Sequence, residues 1–375
     1  MSTSPIAFID LKAQQKPIRE RIEARLKAIL DHGAYINGPE IKELEEALVA
    51  RTGAADAVGV SSGTDALVIA MMGEDIGPGD AVFIPSFTYN ATANAVLVCG
   101  ATPVFVDVRE DTFNMDPVDL RDKIDAVAEE GRLRPRAVVP VDLFGLPADY
   151  ATIGAIAAEH DMIMMADAAQ SFGGRAGNRA VGTLAPITGT SFFPAKTLGA
   201  YGDGGAIFTD TAERGELWRS LRWHGTDETR KLSVRVGING RLDSMQAAVL
   251  LEKLTIFDQE IENRNRVAAR YDTHLSAHMT LPARPADVQP SWGLYSITVP
   301  DRAKSQAVLK EAGIPTAIYY PVPCHKMDAF AAYAPAEGLA TTERLAETIL
   351  ALPMHPYLSE SDVDRVCETL IPTLH

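Results

Sequence analysis

Met162-Ile163-Met164-Met165-Ala166-Asp167-Ala168-Ala169-Gln170 reads as a short apolar strand, 162–166, that runs into an acid. A continuous apolar run, without alternation, is what a strand covered on both faces requires, and such strands belong to parallel sheets. An acid just past the carboxyl end of such a strand points into the crevice where open parallel sheets bind ligands. A turn or helix-capping aspartate is the plainer alternative.

The flanking sequence repeats the pattern. Upstream, helical periodicities at 63–72, 91–99, 117–124 and 150–160 alternate with apolar runs at 81–85, 103–108 and 137–143. Short buried strands separated by helix-length segments predict a mostly parallel sheet with crossover helices, an α/β fold. Two amphipathic helices open the chain, one on Ile18, Ile22, Leu26 and Ile29 and one on Ile41, Leu44 and Leu48, stopped by Gly33 and Gly53. From Asp243 to Leu275 a helical pattern runs without Gly or Pro. The remaining third reads as a strand at 293–299, a helix at 304–312, a strand-like 316–320 and two final helices. The expected division is a large domain over 1–245 and a smaller α+β domain over 246–375, entered by that long helix.

Composition excludes several classes. The 375 residues carry a net charge of −15 with no basic run, so a nucleic-acid backbone is a poor partner. Cys99, Cys324 and Cys367 are odd in number and form no C-x-x-C, which argues against a disulfide framework and for a reducing compartment. The opening residues 1–10 show neither a basic n-region nor an apolar h-region, and no apolar run reaches membrane-spanning length. A cytoplasmic location is expected. The histidines do not cluster at ligand spacing, so no catalytic metal is expected.

Three further stretches carry chemistry. Ser191-Phe192-Phe193-Pro194-Ala195-Lys196 places a lysine between an apolar run and the glycine-rich 199–205, where burial would lower its pKa and make it a nucleophile for carbonyls. Ser61-Ser62-Gly63-Thr64-Asp65 offers free amides and a positive dipole end to a phosphate, or else a plain helix cap. Pro85-Ser86-Phe87-Thr88-Tyr89 ends a strand with an aromatic that could cover a flat ligand or pack at the rim. Together these are the parts of a pyridoxal phosphate site: a lysine for the carbonyl, an acid for the ring nitrogen, a helix start for the phosphate and an aromatic for the ring face.

The ordered set S-G-T-D-A-L, P-S-F-T-Y, D-A-A-Q, S-F-F-P-A-K and G-D-G-G resembles the DegT/StrS-type sugar-nucleotide aminotransferases, nearly end to end from Ile9-Asp10-Leu11 to Leu352-Pro353-Met354-His355-Pro356. The resemblance implies an aspartate-aminotransferase-like (fold type I) large domain and pyridoxal 5′-phosphate. It matches Lys196 to the Schiff-base lysine, which also shuttles the proton. It matches Asp167 to the pyridinium partner and Gln170 to the residue bonding the ring hydroxyl. Gly63, Thr64 and Ser191 match phosphate ligands and Tyr89 the stacking aromatic. Asn239, in Gly237-Ile238-Asn239-Gly240-Arg241, matches the asparagine that reaches the phosphate of the neighbouring subunit, which implies a homodimer with shared sites.

The branch most similar aminates position 3 of UDP-2-acetamido-2-deoxy-3-oxo-glucuronate with glutamate as donor, in amino-sugar and polysaccharide biosynthesis. Those relatives have His-Tyr-Pro where this chain has Tyr319-Tyr320-Pro321, and an Asn where it has His325 before Lys326. Substrate candidates are Tyr35, Arg235, Tyr320 and His325. Arg222, Arg235 and Arg241 are candidates for a diphosphate or carboxylate, and His224 for a place near the site or a helix C-cap. Two rivals stay open: a 4-keto-6-deoxy nucleotide sugar as acceptor, and a non-catalytic regulatory protein that retains the fold.

Overall fold

The computed structural model describes residues 5–374. Residues 1–4, part of the stretch read for a leader, lie outside them. Twelve strands occur in chain order: β1 (Asp56–Val60), β2 (Asp80–Pro85), β3 (Thr102–Val106), β4 (Arg134–Val138), β5 (Ile163–Asp167), β6 (Arg175–Ala176), β7 (Arg179–Ala180), β8 (Ile187–Ser191), β9 (Gly205–Thr209), β10 (Val288–Gln289), β11 (Tyr295–Thr298) and β12 (Ile349–Leu352). Seven form the main sheet in the order β1-β9-β8-β5-β4-β2-β3. The pairs from β8 to β3 are parallel, and β9 is antiparallel to both of its neighbours. The α/β architecture expected from the alternation is therefore present.

This topology positions the site. Strands β1, β2, β4, β5 and β8 point the same way, so the residues that follow each one emerge along one edge. Helices fill both faces. Val58, Ile84, Val139, Met165 and Ile207 share one core with helix Gly63–Gly73, and Phe83, Val106 and Val138 share another with Leu120, Ile124 and Ile153. After a short helix, Leu11–Gln15, come the two expected amphipathic helices, Arg19–His32 and Pro39–Thr52, and each ends on a left-handed glycine, Gly33 at φ 71° and Gly53 at φ 79°. Glycine adopts that conformation without the Cβ clash that other residues meet.

The stretch 243–275 differs from its reading as one helix. It is two helices, Ser244–Leu254 and Phe257–Leu275. At the break the amides of Thr255 and Ile256 donate to Glu252 O and Lys253 O, the three-residue spacing that tightens a last turn. No Gly or Pro announces it, and the change of packing partner comes later: Phe257 and Ile261 of the second helix still share the core of the first. Ala247, Leu250 and Leu251 sit in the core of Leu44 and Phe208, whereas Tyr271 and Leu275 sit with Val363, Val366 and Leu370 of the last helix. That second core also takes Ile6, so the start of the chain crosses to it. The strand-like 316–320 contributes a single bridge, Ala317 to Ala351, and β12, where no strand is expected, pairs antiparallel with β11. The three cysteines are free thiols, and Cys324 and Cys367 are buried. Among the described residues no helix is long and apolar enough to cross a membrane.

Arg222 is spoken for by the fold. Its Nη1 donates to Glu45 Oε1 at 2.6 Å and to Gly59 O, and it is 5% exposed. Glu45 also accepts from Arg219 and from Gly59 N–H. The expectation that Arg222 serves a ligand is corrected: desolvation and this pairing commit it to joining helix Pro39–Thr52 to β1. Replacing Glu45 by Ala strands a buried guanidinium and is expected to cost about 3 kcal/mol, read as a lower urea midpoint with an unchanged slope.

Candidate active site

One cavity of about 450 Å³ opens on the carboxyl edge of the main sheet, within the range of small-molecule sites. Its walls include Gly63, Thr64, Tyr89, Asp167, Gln170, Ser191, Lys196 and Tyr320. These eight positions are spread over more than 250 residues of sequence; the main sheet brings seven of them to one edge, and the C-terminal third adds Tyr320.

Asp167 ends β5 and is 6% exposed. Its Oδ2 accepts from Thr92 Oγ1 at 2.7 Å and its Oδ1 from Ala169 N at 3.1 Å. No Arg, Lys or His forms an ion pair with it among the described residues. Burial pushes its carboxyl pKa up; the two hydrogen bonds and the charge of Lys196 pull the other way. Lys196 is half-buried in the turn after β8, its amide bonded to Phe193 O. Burial lowers its ammonium pKa and Asp167 opposes that shift. Its Nζ has no hydrogen-bond partner among the described residues.

Helix Gly63–Gly73 begins beside them. Ser62 caps it by accepting from Asp65 N at 3.0 Å, which leaves the amides of Gly63 and Thr64 free. A Cβ at position 63 would lie 2.7 Å from Ser191 Cβ. Only glycine lets this helix start and the end of β8 approach so closely. Together they form a small pocket of amides and hydroxyls suited to an anion.

Gln170 is fixed at both ends of its amide: Oε1 accepts from Phe144 N at 2.7 Å, and Nε2 donates to Tyr320 Oη at 3.1 Å. One amide hydrogen stays free. The Tyr320 ring lies 6.0 Å from that of Tyr89, which is 58% exposed. Burial and the charge of Asp167 both raise the Tyr320 pKa, so it stays a neutral hydroxyl.

The remaining candidates stand elsewhere. His325 is 2% exposed, with its ring between Ser86 and Glu343. Its expected contact with substrate is corrected, because the whole imidazole lies within the protein. Tyr35 and Arg235 are exposed and do not line this cavity. Asn239 is exposed, its backbone bridged to Trp223. The Arg241 guanidinium lies 4.4 Å from the centre of the Trp223 ring. His224 has a left-handed backbone after the helix ending at Leu221 and lies outside the cavity wall.

Sequence reasoning missed four groups. Thr92 is the second residue of the helix Ala91–Val98 that follows Tyr89, and that place at a strand exit is the signal for it. Asp203, within G-D-G-G, and Tyr319, beside Tyr320, line the cavity although neither is among the expected site residues. Asp142, fully buried, accepts from Ser171 Oγ, Tyr150 Oη and Ala148 N; burial raises its pKa to about 6, with Asp167 adding to the effect.

Comparison with known proteins follows this geometry. Residues 16–371 match the DegT/DnrJ/EryC1/StrS aminotransferase family. The UDP-2-acetamido-2-deoxy-3-oxo-D-glucuronate aminotransferase of Pseudomonas aeruginosa is 42% identical over 366 residues, 97% of this chain and 99% of the relative. A solved DegT DnrJ EryC1 StrS aminotransferase from Brucella abortus is 46% identical, with TM-score 0.96 over 98% of this chain and 99% of that one. The ntda protein of Bacillus subtilis with bound cofactor PMP is 29% identical, with TM-score 0.89 over 100% of this chain and 86% of that one.

A raised carboxyl pKa fixes the sign of a pH effect. The folded state holds the Asp167 proton more tightly than the unfolded chain, so stability is lost as pH rises from the unfolded pKa through the folded one. Asp167→Asn removes that cost. The ligand-free variant is expected to melt higher than the parent at pH 7.5, with the gain shrinking towards pH 4 in a thermal scan.

Proposed function

The chain belongs to the DegT/DnrJ/EryC1/StrS aminotransferase family, and from that premise we propose that it transfers an amino group from glutamate to a nucleotide-linked keto sugar, using pyridoxal 5′-phosphate. One observation carries this reading. A buried carboxylate that forms no ion pair among the described residues shares a cavity with an amine that has no hydrogen-bond partner among them, beside a helix start with free amides. A ring bearing a protonated nitrogen, a carbonyl and a phosphate answers all three.

The residues fit that group. Asp167 would hold the proton on the ring nitrogen, Gly63, Thr64 and Ser191 the phosphate, Tyr89 one ring face, and the free amide hydrogen of Gln170 the ring hydroxyl. When bound, the cofactor supplies an electron sink that acidifies the carbon bearing the amino group. Lys196 would move the proton: burial lowers its ammonium pKa against the charge of Asp167, which favours the free amine that can take a proton from that carbon and deliver it to the cofactor, and the reverse for the acceptor. Leu67, Val141 and Leu294 add apolar wall that limits water at the amine.

The acceptor proposed is the 3-keto group of a UDP-linked N-acetylglucosamine-uronate type of sugar. The identity to the Pseudomonas aeruginosa relative across both whole chains supports it. The working unit proposed is a homodimer with shared sites. Asn239 and Arg235 lie on an exposed segment whose Leu232, Val234 and Val236 are 64%, 55% and 84% exposed, an apolar stripe of the kind that a partner surface covers.

The protein supplied with pyridoxal phosphate is expected to turn yellow and to bleach with glutamate; a preparation that stays colourless sinks the reading. Lys196→Ala should lower turnover by roughly 10³-fold or more. UDP-linked 3-keto and dTDP-linked 4-keto-6-deoxy sugars, fed separately to the aminated protein, distinguish the acceptors by which one restores the colour. Mixing Lys196→Ala with Asn239→Ala chains should regain up to roughly a quarter of the parent activity if each site needs two chains, and none if it does not.

A further inference from the structure

His325 has the surroundings of a catalytic histidine and no access to a substrate. Its Nδ1 lies 2.7 Å from Ser86 Oγ and its Nε2 lies 3.1 Å from Glu343 Oε1. Ser86 is 0% exposed and His325 2% exposed, so no acyl group reaches this serine. The charges facing the ring are those of Glu343, Lys326 and Asp107. Glu343 accepts from Leu339 N–H as well, and these bonds hold its carboxyl at about pKa 2. It therefore only accepts, so Nε2 carries a hydrogen. Burial lowers the His325 pKa against the pull of Glu343, which leaves the ring neutral with Nδ1 as an acceptor. Ser86 Oγ accepts from His325 N at 3.1 Å and donates to Nδ1.

The same two segments touch again on each side. Cys324 N donates to Ser86 O at 3.0 Å, and Cys324 Sγ lies 3.6 Å from Thr88 O. Ser86 to Thr88 is the stretch that leads from β2 to Tyr89. Five residues before His325 stands Tyr320, the other ring of the cavity wall. We propose that His325 is a positioning residue: by clamping the exit of β2 to the 324–325 turn and to Glu343 of helix Ala340–Thr348, it sets Tyr89 against Tyr320 and so fixes the aromatic wall of the cavity. The inference rests on the reading of Tyr89 as the residue that covers the cofactor.

The two arms can be cut separately. His325→Asn places an amide oxygen near Nδ1 and keeps the Ser86 arm. His325→Gln places its amide near Nε2 and keeps only the Glu343 arm. Hydrogen exchange of the peptide spanning 86–90 in the cofactor-free protein reads the clamp. The dissociation constant for pyridoxal phosphate, by equilibrium dialysis, reads its consequence, and a urea midpoint for each variant separates both from global stability. His325→Gln is expected to raise exchange in 86–90 and to weaken cofactor binding roughly 10-fold, as a displaced positioning group does, with His325→Asn restoring most of both. Unchanged exchange in His325→Gln would overturn the inference, whatever the cofactor does. Raised exchange with unchanged cofactor affinity, in both His325→Gln and Tyr89→Ala, would leave the clamp standing and overturn the role given to Tyr89.

Discussion

The architecture turns on a single buried negative charge. Asp167 sits where β5 leaves the sheet, out of water and without a cation of the chain beside it except Lys196 across the cavity. A carboxylate in that position costs free energy unless something positive meets it. Thr92 and the Ala169 amide orient it and offset part of the cost. The rest is left for a ligand to offset. Lys196 stands in the mirror situation, a desolvated amine whose charge is held up mainly by that same carboxylate. An aminotransferase needs both conditions, an acid that stays ionised against a ring nitrogen and an amine that can give up its proton.

The sheet exists, in functional terms, to deliver these groups to one edge. Parallel strands end on the same side, so Ser62-Gly63, Tyr89, Asp167 and Ser191 converge although they are far apart in sequence. The antiparallel β9 begins at that edge, and the turn that reaches it carries Lys196. Residues of the C-terminal third close the cavity from the other side with Gly293, Leu294, Tyr319 and Tyr320. The cavity thus borders elements from both ends of the chain, and neither part makes it alone.

Much of this was legible in the residues. Apolar runs without alternation gave the buried strands, and left-handed glycines gave the ends of the first helices. The residues that follow strands gave Asp167, Tyr89 and the Gly63 helix start, because strand ends are where backbone direction alone decides position. What was not legible depends on long-range packing. The break at Thr255 has no helix-breaking residue, and the second helix passes from the core of Phe257 and Ile261 to that of Tyr271 and Leu275, a change that no local pattern marks. β12 lies within an apolar run that local periodicity does not tell apart from a helix end. His325 was read as a substrate residue because nothing local reveals that Ser86, more than 200 residues away, takes its ring inward. Arg222 was misread in the same way, since its partner Glu45 is remote in sequence.

The three thiols, Cys324 and Cys367 buried and Cys99 half-buried, have a practical consequence. The thiolate is the reactive form of cysteine, and desolvation suppresses it. Burial pushes Cys99 up to about 11, and Cys324 and Cys367 up to about 12. At neutral pH the reactive thiolate is disfavoured at all three. A single cysteine introduced at the rim of the cavity would then be the dominant reactive thiol on the protein. A fluorophore or spin label directed beside the site would be attached through that added thiol in preference to the native sulfurs.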